Sequence, residues 1–167
     1  MSSQTLELMP LTHEAFAPFG DVIEYEGRDF FHINDKMVER YHDLARVDTQ
    51  EAGGRTLISW LRAKPNTFPS TVKFVERHQL SSQAFIPLDT NPFVVVVAPR
   101  GDTVKVSDLR AFVTNGRQGV NYHRGVWHHV LLVPRRAMQF IVVDRGGPER
   151  NCDEFWFGEE EQPMLKV

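Results

Sequence analysis

Cysteine is almost absent from this sequence of 167 residues, since Cys152 is the only one. A single cysteine excludes an intrachain disulfide and a cysteine-based zinc site, and it fits the reducing, cytoplasmic setting that we expect. Long apolar runs are missing as well: the longest, Phe93–Ala98, is far too short to cross a membrane. Met1–Gln4 has neither the basic nor the apolar region of a signal peptide. We therefore expect no membrane partner.

An excess of positive charge is also lacking. The net charge is −3 at pH 7, whereas nucleic-acid binders usually present a basic face, so no nucleic-acid partner is expected. Phosphate-binding loops, dinucleotide fingerprints and Gly-x-Ser-x-Gly are absent, so we expect no organic cofactor. The content of 41% hydrophobic and 25% charged residues is ordinary for a globular protein. A single domain over residues 1–167 is expected at this length.

Short β-strands dominate the predicted secondary structure. Helix is expected only at Leu11–Phe19, with Thr12 as its N-cap, and in a short segment from Ser107. This mainly β pattern favours a sandwich or barrel with one or two short peripheral helices. Val94–Val97 is apolar on both faces and should be covered on both sides. Strands are predicted at Asp29–Ile33, Thr56–Leu61, Val72–His78, Ala84–Ile86, Phe93–Ala98, Asn121–Tyr122, His128–Val133 and Met138–Val143.

The most informative segment is Asn121–Val133, which holds His123, His128 and His129 among the seven histidines of the chain. Imidazole binds metals and transfers protons near neutral pH, and three such groups are costly to bury without a use. Neighbours on a strand face opposite sides, so His128 and His129 cannot both enter one cavity. His123 lies in the preceding turn and could overhang the mouth of a cavity, or it could simply be a turn residue in water.

Two short patterns predict a ligand set. The residues from His123 to His128, with Gly125 between them, resemble the second cupin motif, Pro-x-Gly-x-x-His, with histidine in place of proline. Glu76-Arg77-His78, followed by Gln83, resembles the first cupin motif, in which His-x-His precedes a glutamate. The candidate set could hold a metal or form a metal-free, hydrogen-bonded site, and Glu76 and His78 could also be a solvated strand end. Its members are Glu76, His78, Gln83 and His128.

A longer resemblance covers most of the chain, which is similar to the bacterial ureidoglycolate lyase family of allantoin breakdown. The strings that carry it are unusual and extend almost from one end to the other. They are Phe19–Ile23, Arg28–Asn34, Val38–Ala45, Glu76–His78, Ser82–Pro87, Leu109–Phe112, Thr114–Gly116, Gln118–His129, Asp144–Gly147 and Asn151–Asp153.

The resemblance implies a cupin-like jelly-roll barrel, a homodimer, and conversion of (S)-ureidoglycolate, a small anion, to glyoxylate and urea. A divalent metal, nickel, is associated with the family. In this reaction a base takes the hydroxyl proton and an acid protonates the leaving nitrogen. His123 is our first candidate for proton transfer, and Glu76 is the second if no metal is present.

Substrate-binding candidates follow from the same chemistry. Arg77 or Arg124 could hold the substrate carboxylate with a bidentate guanidinium, although strand alternation places Arg77 opposite Glu76 unless a bulge redirects it. His32 and Asn34 alternate onto one strand face and could line the site, or they could belong to an edge strand.

Three other functions stay open at this point. A hydrolase acting on the same compound would release ammonia rather than urea. An iron oxygenase could use Glu76, His78 and His128 as two imidazoles and a carboxylate. A binding module without catalysis is the third, because cupin barrels serve both uses and fold alone does not decide.

Overall fold

The computed structural model describes residues 4–167, which form a mainly β protein. Among these described residues the one α-helix, α1, is His13–Phe16, and short 3-10 helices lie at Glu51–Gly53 and Val106–Asp108. The strands are β1 (Thr5–Leu6), β2 (Leu8–Pro10), β3 (Gly20–Ile23), β4 (Phe31–Ile33), β5 (Val38–Arg40), β6 (Arg55–Ala63), β7 (Ser70–Thr71), β8 (Phe74–Arg77), β9 (Gln83–Pro87), β10 (Val94–Ala98), β11 (Arg110–Val113), β12 (Gly119–Tyr122), β13 (Trp127–His128), β14 (Met138–Gly146), β15 (Asp153–Trp156) and β16 (Met164–Leu165).

Two sheets pack face to face. One has the strand order β15-β8-β13-β10-β11-β2 and the other β3-β12-β9-β14-β6. Their facing sides share one apolar core that includes Val95 and Phe112 from the first sheet and Phe85 and Phe140 from the second. Within residues 4–167 no strand pairs from one sheet to the other. The cupin-like, mainly β prediction is therefore confirmed, with an open sandwich in place of a closed barrel.

Strand β10 lies at the centre of the molecule. Val95 and Val97 enter the core between the two large sheets, whereas Val94, Val96 and Ala98 enter a second core on the opposite face. That second core is covered by the small sheet β1-β16-β7, which contributes side chains such as Leu165. The expectation that this run is buried on both sides is confirmed.

The predicted helices are both shorter than expected. Thr12 does cap α1, since its hydroxyl accepts a hydrogen bond from the Ala15 backbone, but the helix ends at Phe16 rather than Phe19. Residues 17–19 form a turn, and the chain then enters β3 at Gly20, where a Cβ would lie 2.0 Å from the carbonyl oxygen of Asn121. The helix predicted from Ser107 is wrong beyond one 3-10 turn, because residues 110–113 pair with β10 instead.

Two predicted strands are interrupted. Of the segment Val72–His78, only Phe74–Arg77 forms a strand, β8, and β7 ends just before the segment at Thr71. In His128–Val133, His128 lies opposite Val97 and Leu132 lies opposite Val94, and the His129 backbone also donates to the Val96 carbonyl. Residues 128–132 therefore lie opposite residues 94–97 of β10, so the segment has one residue more than its partner, which is the geometry of a β-bulge. Among the described residues, no helix is long and apolar enough to cross a bilayer.

Phe140 tests the core between the sheets. It is fully buried and makes an edge-to-face contact with Phe93. We expect Phe140→Ala to lower the free energy of unfolding by about 3–5 kcal/mol, because it leaves a large apolar cavity. Leu88→Ala is the control, since Leu88 is 47% exposed and should change stability by less than about 1 kcal/mol. Urea unfolding of both variants measures the difference, and equal stabilities would contradict this assignment of the core.

Candidate active site

Strand pairing brings the predicted ligand residues to one end of the sandwich. Glu76 on β8 lies directly opposite His128 on β13, so both side chains are on the same face of their sheet. On the facing sheet, Gln83 at the start of β9 lies opposite Tyr122. His78 follows the last residue of β8, so that polar groups from both sheets meet where the apolar core ends.

The distances show that the four predicted ligand residues converge. His128 Nε2 lies 3.5 Å and His78 Nε2 4.0 Å from the same oxygen of Glu76, Oε1. Gln83 Oε1 lies 3.1 Å from His78 Nε2. One ligand atom each from Glu76, His78 and His128 lies within 4.8 Å of the others. These three residues form a triad that could hold a metal ion.

The ring nitrogens of the two histidines support a cation at this point. His128 Nδ1 lies 3.2 Å from the Val126 carbonyl oxygen and must donate to it, because a carbonyl oxygen only accepts. In the neutral ring this leaves a lone pair on Nε2, which faces Glu76. This buried Nε2 has no hydrogen-bond partner among residues 4–167. His78 Nδ1 donates likewise to the Asn151 carbonyl at 2.7 Å. Both lone pairs therefore face oxygen atoms, and a cation or a shared proton would satisfy them.

The surroundings set the charges of the triad. The pKa of Glu76 lies below its ordinary value because a proton or positive charge shared with the facing imidazoles of His128 and, further away, His78 stabilises the carboxylate, so Glu76 is ionised at neutral pH. Burial lowers the pKa of His128 and keeps the imidazole neutral, the form that binds metals. Tyr122 stacks on His128 with ring centres 4.3 Å apart and fixes the ring plane. Burial raises the pKa of the Tyr122 phenol, which stays protonated.

A cavity of about 330 Å³ opens beside the triad. His78 and Gln83 form part of its wall, and the Cys152 thiol lies 3.8 Å from Glu76 Oε2. Gln83 is oriented by Asp144, whose carboxylate accepts a hydrogen bond of 3.2 Å from Gln83 Nε2. The cavity is lined by His78, Ser81, Gln83, Asp144, Arg145, Arg150, Asn151 and Cys152.

Sequence reasoning overlooked several of these lining residues as site residues. Asp144 extends the inward-facing row of β14 that includes Phe140 and Val142, so the alternation rule could have placed it beside Gln83. Arg150 and Asn151 follow from no local pattern, because they lie in the turn between β14 and β15, and Arg145 on β14 alternates to the face opposite Asp144.

The predicted turn residues lie in a different cavity. His123 Nε2 is 3.0 Å from Asp21, on the side of the second sheet that faces away from the core. Arg124 forms ion pairs with Asp48 at 2.7 Å and Glu51 at 3.1 Å. Both line a cavity of about 270 Å³ with Arg46, Asp48, Ser82 and Arg100. The structure therefore does not bring His123 and Arg124 together with the triad.

The other predicted substrate contacts also lie outside the triad cavity. Arg77 points away from Glu76, as alternation predicts: its guanidinium binds Asp153 at 3.1 Å and lies 4.5 Å from the centre of the Trp127 ring. His32 and Asn34 are exposed on the hairpin β4–β5. In one copy of the chain these three residues do not line the cavity.

Comparison with known proteins extends what the geometry shows. The profile of the ureidoglycolate lyase family matches residues 3–163. A protein named ureidoglycolate lyase from Pseudomonas paraeruginosa is 55% identical over 97% of this chain and 96% of its own length. Proteins of the same name from Pseudomonas fluorescens (strain Pf0-1) and Stutzerimonas stutzeri are 54% and 53% identical over 97% of this chain and cover 97% and 95% of their own lengths. The chain therefore belongs to the ureidoglycolate lyase family.

Proposed function

We propose that this chain eliminates urea from (S)-ureidoglycolate to leave glyoxylate, in the cytoplasm. The observation that carries the proposal is the likeness to enzymes named for this substrate along 97% of the chain, together with a triad whose His78 lines a small cavity. A cavity of about 330 Å³ is ample for a substrate of this size.

The reaction needs two proton transfers at one carbon. That carbon carries a hydroxyl, a carboxylate and the urea nitrogen. When the hydroxyl loses its proton, the oxygen forms a carbonyl bond and the carbon–nitrogen bond breaks, while the nitrogen gains a proton and leaves as urea. Each well-placed transfer contributes about 10²–10⁴-fold to the rate.

We further propose that Glu76, His78 and His128 hold a divalent metal, with the amide oxygen of Gln83 close by. Two imidazoles and a carboxylate suit ions such as nickel, and the unpartnered Nε2 of His128 supports the proposal. When bound, such an ion supplies Lewis acidity that lowers the pKa of the substrate hydroxyl. Without a cation, the ionised Glu76 carboxylate is the group that we assign to accept the hydroxyl proton. We assign no proton transfer to His123, because it lines the other cavity.

The products test the reaction directly. With (S)-ureidoglycolate as substrate, we expect glyoxylate and urea in equal amounts and no ammonia, because a lyase leaves the urea group intact. The three compounds can be quantified in one time course. Ammonia in place of urea would establish the hydrolase, oxygen consumption the oxygenase, and saturable binding without turnover the binding module.

Variants of the triad test the site. His78→Gln and His128→Gln should each lower kcat/KM by at least about 10²-fold, because each removes a group that stabilises the developing charge. Both should also reduce the metal that elemental analysis finds in the purified protein. His42→Gln, at an exposed histidine, should change neither quantity. Full activity after exhaustive chelation would leave only the metal-free, hydrogen-bonded site, and near-normal turnover in both variants would contradict the site itself.

We also propose that two copies of the chain form a homodimer. Strand β6 lies at the edge of its sheet, and Ile58 and Trp60 on it are 75% and 61% exposed. An exposed apolar edge strand of nine residues favours pairing with another strand, and two copies of β6 can pair with each other about a twofold axis. His32 and Asn34 would reach a substrate only if their hairpin meets the partner's cavity.

Sedimentation measures the predicted assembly. The wild-type chain should sediment at twice its mass of 19.2 kDa, and Trp60→Glu should shift it towards the monomer because a charge is then forced into the apolar contact. Trp156→Glu is the matched control, since Trp156 is also exposed but lies on β15, in the other sheet. A wild-type monomer at all concentrations would contradict the dimer.

A further inference from the structure

The proposed substrate carries a carboxylate, and a polar cavity that also holds carboxylates needs a cationic group to receive it. Arginine is suited to this because its planar guanidinium binds both carboxylate oxygens at once. Two arginines, Arg145 and Arg150, line the cavity beside the triad. Their hydrogen bonds differ, and the difference decides which one is available to a ligand.

Arg145 is already committed to the protein. Its Nε donates to the Glu51 carbonyl at 3.1 Å, and its terminal NH2 donates to the carbonyls of Ala52 at 3.2 Å and Pro148 at 2.9 Å. The side chain is buried, so that replacing these bonds by a ligand would leave backbone carbonyls unpaired. Arg145 therefore fastens the turn after β14 to the segment before β6.

Arg150 is available. Its Nε donates to the Cys152 carbonyl at 2.9 Å, which holds the root of the guanidinium at the cavity wall. Among residues 4–167, Arg150 makes no ion pair with a carboxylate, although it is exposed at the mouth of the cavity. Its two terminal nitrogens are left to face an incoming anion.

We infer that Arg150 binds the substrate carboxylate at the mouth of this cavity, an assignment that rests on the proposed function. The arginines that sequence reasoning favoured are unsuitable: Arg77 binds Asp153 on the other face of β8, and Arg124 binds Asp48 and Glu51 beside the second cavity. An anion placed near the carboxylates of Glu76 and Asp144 needs a compensating positive charge, and Arg150 supplies it.

The turn that carries Arg150 is held in place before substrate arrives. Glu149 has a φ of 72° and Gly147 a φ of 146°, both in the left-handed region. A Cβ on Gly147 would lie 3.0 Å from the Cα of Gly54, so the turn packs closely on the neighbouring segment. Together with the bond from Arg145 to Pro148, this packing fixes the backbone next to Arg150. A fixed anchor lowers the entropy cost of binding.

The test compares binding of glyoxylate, the anionic product, to the full chain and its variants by titration calorimetry. Arg150→Gln should raise the Kd for glyoxylate by about 10- to 100-fold, since a charge-assisted pair is lost. The Kd of Arg150→Lys should lie between those of wild type and Arg150→Gln, because lysine keeps the charge but not the bidentate guanidinium. Arg136→Gln is the matched control: Arg136 is exposed and lines a different cavity, and its variant should bind like wild type. In turnover, Arg150→Gln should raise KM more than it lowers kcat.

The outcomes separate this inference from the proposed reaction. Equal Kd values for wild type and Arg150→Gln, with or without chelator, would overturn the role of Arg150, and so would a wild-type chain that does not bind glyoxylate. Glyoxylate binding that depends on Arg150 in a chain that forms no urea would support the anchor and overturn the reaction. Thermal unfolding of the variants at the same temperature as the wild-type chain would show that the fold is unchanged.

Discussion

The site depends on one juxtaposition, the lone pair of His128 Nε2 held 3.5 Å from an oxygen of Glu76. Two electron-rich atoms do not stabilise each other. Because His128 is almost completely buried, water does not readily reach Nε2 to donate a hydrogen bond. Its other ring nitrogen is occupied by the Val126 carbonyl. The fold thus imposes a demand for positive charge at the end of its core, and His78 and Gln83 add further donor atoms around the same point.

These polar atoms disturb the apolar core little, because they lie at one end of the sandwich. Further along the same strands the inward faces carry Val95, Val97, Phe140 and Val142, which fill the core. Tyr122 joins the two regions: its ring belongs to the core and stacks on the imidazole of His128. Apolar packing therefore fixes the position of the ligand atoms, and the cavity beside them admits a small polar molecule.

Much of this arrangement could be predicted from the sequence, because strand alternation is a local rule. It placed Glu76 and Arg77 on opposite faces, and it separated His128 from His129, whose Nδ1 bonds the Phe74 carbonyl. The helix at Leu11–Phe19 and the strand at His128–Val133 were predicted too long, since propensity does not register a strand partner at Gly20 or a bulge before Leu132. His123 was grouped with His128 because they are close in sequence, whereas the turn places it beside Asp21.

By itself the sequence determined the mainly β class, the burial of β10 and the family to which the chain belongs, because alternation, apolar runs and long matching strings need no coordinates. Only the tertiary structure decided which arginine is available. Arg77, Arg124, Arg145 and Arg150 have the same chemistry, but distant segments bring carboxylates or carbonyls to the first three, whereas Arg150 keeps only the nearby carbonyl of Cys152. Those partners are set by the packing of whole sheets and turns, which no local pattern contains.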